Sequence, residues 1–169
     1  MSNKFVLMLI LLVTAVFIAG CIDKDKDANP PVKYELIPTT GLPDGFTYMG
    51  IHEISVEIGS TLINATEGVY RNNGDDFYIQ VIKNDEPEAL LAQYKLQKQK
   101  EFKSGNSPFQ EISLNGHKAT QITDYSTRNG KQQPNYAVIW ATEKVMILVS
   151  SPTAADAQTV IALASATKS

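Results

Sequence analysis

Two histidines, one cysteine and a scatter of serines and carboxylates are what this 169-residue chain offers for chemistry, so their spacing decides what they can do. His52 and His117 fall on separate predicted strands, with no HxH, HxxxH or HExxH arrangement. A histidine metal site needs two or three ligands in one neighbourhood, often on one helix face, so no metal site is expected. His117 follows a predicted hairpin turn and should face solvent. Hydrolase chemistry finds as little support. There is no G-x-S-x-G elbow, and nothing sets Ser113 or Ser126 apart as a nucleophile. Asp75-Asp76 and Asp85-Glu86 are paired carboxylates, but the first falls at a turn and the second at a helix start, where acidic residues have structural reasons to be. Asp23-Lys24-Asp25-Lys26-Asp27 lacks the glycine and the distal glutamate of a calcium loop. No Gly-rich phosphate loop occurs. These residues predict no catalytic group, no cofactor and no metal.

Three further groups could bind rather than react. Tyr34, Phe46 and Tyr48 could make a stacking edge, and Tyr125 and Tyr136 could flank a loop. In a domain of this size aromatics are more often core or hairpin pairs, and that is the expectation here. Lys95, Lys98, Lys100 and Lys103 could meet anionic lipid or an acidic partner. The interleaved glutamines and Glu101 favour an ordinary solvated helix face instead. Asn64-Ala65-Thr66 is an N-glycosylation sequon, which an exported archaeal protein could use and many bacteria would leave bare.

Cys21 is a different matter, because its setting is specific. Lys4 is the only charge before Asp23, and Phe5 to Ala19 form an apolar run of fifteen residues broken only by Thr14. That length suits a signal-peptide core, whereas a membrane-spanning helix usually needs about 20 apolar residues. The run closes on Ile18-Ala19-Gly20-Cys21, which resembles a lipobox. An aliphatic residue and two small ones precede a cysteine that is acylated and becomes the mature N-terminus. The resemblance implies a signal peptide over 1–20, lipidation of Cys21 and attachment to the outer side of a membrane through that lipid. Cleavage would leave 14 basic against 18 acidic residues, a net charge of −4. With the one cysteine acylated, no thiol remains for a disulfide, a metal or catalysis. A mildly acidic chain without a basic cluster argues against nucleic acid as a partner.

The elements that would position these residues begin after a tether. Residues 21–33, ending IDKDKDANPPVK, alternate charge and contain no apolar run, so they cannot offset the entropy of ordering. One domain over 34–169 is expected. Gly-Leu-Pro-Asp-Gly at 41–45 reads as a turn, Ile54-Val56-Ile58 as one face of a strand, and Thr66 to Arg71 as a second, shorter strand. Asn72-Asn73-Gly74-Asp75 turns the chain into a third strand. Phe77, Ile79 and Val81 define one of its faces, and Tyr78, Gln80 and Ile82 the other. Asp85 is the expected cap of a helix with Pro87 in its first turn and Glu88 at the capping-box position. Leu90, Leu91 and Tyr94 share its buried side, and Ser104-Gly105 stops it. Asn115-Gly116 demands a type I′ hairpin between strands around Ile112-Leu114 and Ala119 to Tyr125. Ser126 to Pro134 is polar and reads as a longer mobile loop around Asn129-Gly130. Tyr136 to Thr142 and Val145 to Ser150 are near-continuous apolar strands and should be central. A last helix opens at Ser151-Pro152-Thr153 and buries Val160, Ile161 and Ala164.

The expected fold is therefore α+β: an antiparallel sheet of six or seven strands, ordered strands, helix, four strands, helix, with both helices on one face. This order is similar to that of the PsbP-like α/β/α sandwich. LPDGF at 42–46, NGHKAT at 115–120 and the apolar strands that follow resemble uncharacterised lipoproteins of prokaryotes, methanogenic archaea above all. The resemblance spans most of residues 40–166 and implies a fold and an address but no activity. Three functions fit. The leading one is a non-catalytic binding or interaction module of the cell envelope, with an envelope protein among its possible partners and an exposed apolar patch near Ser126 to Pro134 as its sign. The second is an envelope hydrolase without a recognisable motif, signalled by a histidine meeting a serine or carboxylate in a pocket. The third, a two-lobed solute receptor, needs more chain than is present.

Overall fold

The computed structural model describes residues 35–102, 107–154 and 156–168. The leader, Cys21, the tether, Tyr34, Lys103 and the Ser104-Gly105 stop lie outside them. Three Asn-Gly pairs reverse the chain, at Asn73-Gly74, Asn115-Gly116 and Asn129-Gly130, and in each both residues have positive φ. Two successive left-handed residues are what a type I′ turn requires, and asparagine and glycine tolerate them best. These turns join β2 (Thr61–Asn72) to β3 (Asp75–Lys83), β4 (Phe109–Leu114) to β5 (His117–Arg128), and β5 to β6 (Lys131–Ala141). β1 (Thr47–Ile58) precedes β2, and β7 (Val145–Ser151) follows β6. Helix α1 (Pro87–Glu101) links β3 to β4, and α2 (Ala157–Ser165) follows β7.

All seven strands form one antiparallel sheet in the order β1-β2-β3-β7-β6-β5-β4. The α+β class, the seven strands and the central place of β6 and β7 agree with expectation. The expected placement of both helices on one face does not. Phe77, Ile79, Val81, Val138, Trp140, Ile147 and Val149 pack with Val160, Leu163 and Ala164 of α2. The alternate residues Ile82, Ile139, Met146 and Leu148 pack with Leu90 and Tyr94 of α1. Because successive side chains of a strand point to opposite faces, the two helices cover opposite sides of the sheet.

Several boundaries also move. β1 and β2 run twelve residues each, well beyond the shorter strands expected, and a bulge between Tyr48 and Gly50 shifts their register. Ser126 to Pro134 is not a loop: the ladder continues through Ser126↔Gln133 and Thr127↔Gln132 to Arg128↔Lys131. Polar composition misled there, because this arm projects past the ends of β4 and β7 and has no core to face. The cap of α1 falls on Glu86, without a side-chain bond, while Asn84 Oδ1 accepts the Glu86 N–H at 2.7 Å. The last helix starts at Ala157, where Asp156 accepts the Thr159 N–H at 2.9 Å; Ser151 belongs to β7 and its Oγ accepts the Thr153 and Ala154 N–H groups.

The residues ahead of β1 complete the α2 side. Ile37 lies across β2 so closely that a Cβ on Gly68 would come within 2.5 Å of it, which only glycine permits. The Tyr70 hydroxyl donates to the Pro38 carbonyl at 3.0 Å, and Phe46 meets Phe77 edge to face at 4.9 Å. Tyr48 and Tyr70 pair in the same manner, so Phe46 and Tyr48 serve the core. On the other side, the tip of the β1–β2 arm reaches α1, where the Gly59 N–H donates to Gln97 Oε1 at 2.7 Å and Ile58 is wholly buried. Among the described residues no helix is long and apolar enough to cross a membrane.

Candidate functional site

On the α1 side four strands, β3, β7, β6 and β5, change character in the same direction. Along β3 the residues of this face run Ile82, Gln80, Tyr78; along β7 they run Met146, Leu148, Ser150; along β6, Ile139, Ala137, Asn135; along β5, Ile122 then Asp124. The register sets Tyr78 beside Ser150, Ser150 beside Ala137 and Ala137 beside Ile122, so these changes align into rows across the sheet. Helix α1 changes with them: Leu90 and Tyr94 seal the apolar end, and one turn on the helix presents Lys98 instead. Small and polar floor residues under a partly polar helix leave a cleft of about 490 Å³. That volume lies within the usual range for small-molecule sites, about 300–1,000 Å³.

Glu67 of β2 closes one side of the cleft and is 8% exposed. Its Oε2 accepts the Gln80 amide at 2.6 Å, and its Oε1 lies 3.1 Å from His52 Nε2 across the β1–β2 pair. Lys98 stands on the opposite wall, 2.8 Å from Glu101 and 3.6 Å from Asp124. Burial works against its charge, but the hydrogen bond to Glu101 and the nearby Tyr94 and Asp124 outweigh it and raise its pKa. The same hydrogen bond holds the Glu101 carboxyl below its ordinary range. Burial raises the Tyr78 hydroxyl, with Asp76 and Glu67 adding to the effect, and burial raises that of Tyr94. Tyr136 and Pro152 complete the rim, and Asn135 Oδ1 accepts from Ser126 Oγ and Arg128 Nη2 at 3.2 and 3.0 Å.

The residues singled out in the sequence are distributed unevenly around this site. His52 reaches a buried carboxylate of the cleft wall, so it is more than an ordinary surface histidine; His117 is exposed beside its turn. Ser113 is exposed, and Ser126 serves Asn135 at the cleft's edge. Among the described residues no serine hydroxyl bonds either histidine, and no three His, Cys, Asp or Glu side chains gather into a metal-holding group. Asp76 belongs to an ion pair with Arg71 at 2.7 Å. Lys95 and Lys98 are partly buried and bonded across to Glu111 and Asp124, so these two are not freely solvated, whereas Lys100 is exposed. Asn64 is exposed on β2, opposite Ser55. Tyr136 lines the cleft, whereas Tyr125 is exposed and stacks loosely on Phe102.

Glu67, Tyr78, Gln80, Asp124 and Asn135 escaped the sequence reading. For Tyr78 and Gln80 the signal was present in β3, a central strand with two polar groups on a face that should be buried. No protein-family model, no curated protein and no solved structure matches this chain.

Proposed function

We propose that this chain is a lipid-anchored envelope protein whose domain binds a small molecule in the α1 cleft. The observation that carries the binding reading is the coincidence of the cleft with a buried carboxylate, Glu67, at its wall. Nothing in the packing of α1 needs a charge there, and burying one is unfavourable unless something else requires it. The anchoring reading rests on the apolar leader that ends in Ile18-Ala19-Gly20-Cys21. It places the domain outside the cytoplasm, tethered by residues 21–33. The element order, with one helix on each face of the sheet, supports the PsbP-like sandwich and with it the likeness to lipoproteins of methanogenic archaea. Superposition of experimental coordinates on a PsbP domain, with every strand matched in order, tests that likeness.

Two experiments test the function. Full-length protein and Cys21→Ser are expressed in a lipoprotein-processing host and washed at high salt. Wild type alone should stay on the membrane, with a mature N-terminus carrying the mass of an acyl chain; identical behaviour of the two proteins sinks the anchor. For the cleft, wild type and Ala137→Trp are incubated with a small-molecule extract and examined by native mass spectrometry. A mass retained by wild type and lost from the filled cleft supports binding, and no such difference sinks it.

The second reading, an envelope hydrolase, draws on the His52–Glu67 pair, which has the hydrogen bond that orients a catalytic base. It needs a nucleophile within reach of His52. Ser150 of the cleft stands three strands away from His52, so a panel of esters left unhydrolysed by wild type would remove this reading.

A further inference from the structure

The cleft's charge pattern selects among ligands. Resting on the binding reading above, we propose that the site takes a small organic cation, a protonated primary amine whose ammonium meets Glu67 and whose carbon body lies against Tyr78 and Tyr94. Glu67 is the starting point. The residue is 8% exposed and its side chain 11%, and its partners are the neutral Gln80 amide and His52, whose side chain is 52% exposed. Among the described residues no lysine or arginine stands within ion-pair distance of it. A buried charge is stable when paired and hydrogen-bonded, and here the hydrogen bonds exist while a permanent counter-charge does not. Each carboxylate oxygen has taken one donor and retains capacity for another. An ammonium group supplies both donor and charge.

The opposite wall argues against an anion. Among the described residues lining the cleft Lys98 is the one cation, and Glu101 and Asp124 already engage it. A carboxylate or phosphate arriving there would face two carboxylates. A neutral polyol could bond Gln80 and Asn135 but would leave the Glu67 charge uncompensated. Tyrosine rings favour the same answer, since their negative faces attract cations.

The test holds the carbon skeleton constant and varies charge. Full-length protein in an uncharged detergent is titrated at neutral pH with 1,5-diaminopentane, 1,5-pentanediol and glutarate, and amide shifts are followed by NMR. Shifts of Gln80, Ile122 and Ala137 with the diamine alone are expected. Glu67→Gln should weaken that binding by about tenfold or more, as expected when one partner of a buried charge pair is removed. Tyr78→Leu should weaken it less, and the three-ligand comparison on wild type does not depend on either variant folding. Equal or tighter binding of the diol or glutarate at the same amides overturns the amine preference and leaves the cleft as a binding site. Diamine binding unaffected by both substitutions overturns the assignment to Glu67. If none of the three shifts these amides, the inference fails, and the broader reading fails with it only if the extract experiment is also empty.

Discussion

The two faces of the sheet are made by the same strands and differ in nearly everything else. On the α2 side, Phe77, Ile79, Trp140, Ile147 and Val149 are almost fully buried and meet Val160, Leu163 and the residues ahead of β1. On the α1 side the adjacent residues begin as a core at Ile82, Ile139 and Met146, then give way to Tyr78, Gln80, Ser150 and Asn135. One face is packed along the whole of β3 from Phe77 to Val81; the other gives way to the cleft part-way. The difference shows where selection for stability ends, because a strand places consecutive residues in separate environments without altering its backbone.

Substitutions on neighbouring residues of β3 can break or sharpen this contrast. Phe77→Ala should destabilise by about 3–5 kcal/mol, whereas Tyr78→Leu should cost under about 1.5 kcal/mol. Urea unfolding of both variants measures the gap, and equal losses would mean that the cleft is as tightly packed as the core. Next in size is the carboxylate cluster. Glu67→Leu combined with Gln80→Leu should leave stability unchanged or raise it by about 1 kcal/mol, since replacing a buried charge by matched apolar groups is often neutral or favourable. A marked drop in thermal midpoint would instead make the cluster a structural element. The helices differ as the faces do. Asp156→Ala removes the side-chain cap of α2 and should cost about 1 kcal/mol, while Glu86→Ala at the uncapped start of α1 should change little. Chemical unfolding of this pair tests whether α1 is held by its contacts rather than by its ends.

The smallest effect is one of pH. Hydrogen bonds from Lys98 and Lys95 lower the Glu101 and Glu111 carboxyls below the ordinary value of 4.5, against some opposition from burial. A carboxyl depressed in the folded state stabilises fully above its unfolded value and loses that contribution as pH falls through the folded one. Stability should therefore decline as pH drops below about 4.5, by an amount kept small by solvent screening of exposed pairs. Lys95→Met with Lys98→Met should flatten that decline in a melting series; an unchanged acid limb would place its origin elsewhere.

Much of the fold was legible because local rules agree with tertiary ones. Asn115-Gly116 could only be a tight turn, and the alternation from Phe77 to Ile82 fixed both faces of β3. Leu90 and Tyr94 marked the buried side of α1. Legibility ended where a rule depends on distant neighbours. Gln132 and Gln133 look like loop residues because their arm has no core beneath it, although pairing with Ser126 and Thr127 makes them strand. The side of the sheet that each helix covers depends on chain crossings that no local pattern encodes. The cleft was hidden for a similar reason: Glu67, Lys98 and Asn135 come from three elements, and only the register between strands brings them together.

That register has a consequence for how the chain reaches its structure. β1, β2 and β3 form one meander and β4 to β7 another, each closed by short connections except for the single junction of β3 with β7, from Tyr78↔Ser150 to Lys83↔Val145. Each meander can form from near neighbours, but the seam joins strands from the two halves of the domain and must await the last strand. Until β7 arrives, β3 presents an apolar open edge, the kind of surface on which chains pair with the wrong partner. Folding of this domain is therefore an act of final closure, and the strand that completes it also brings Ser150 to the cleft.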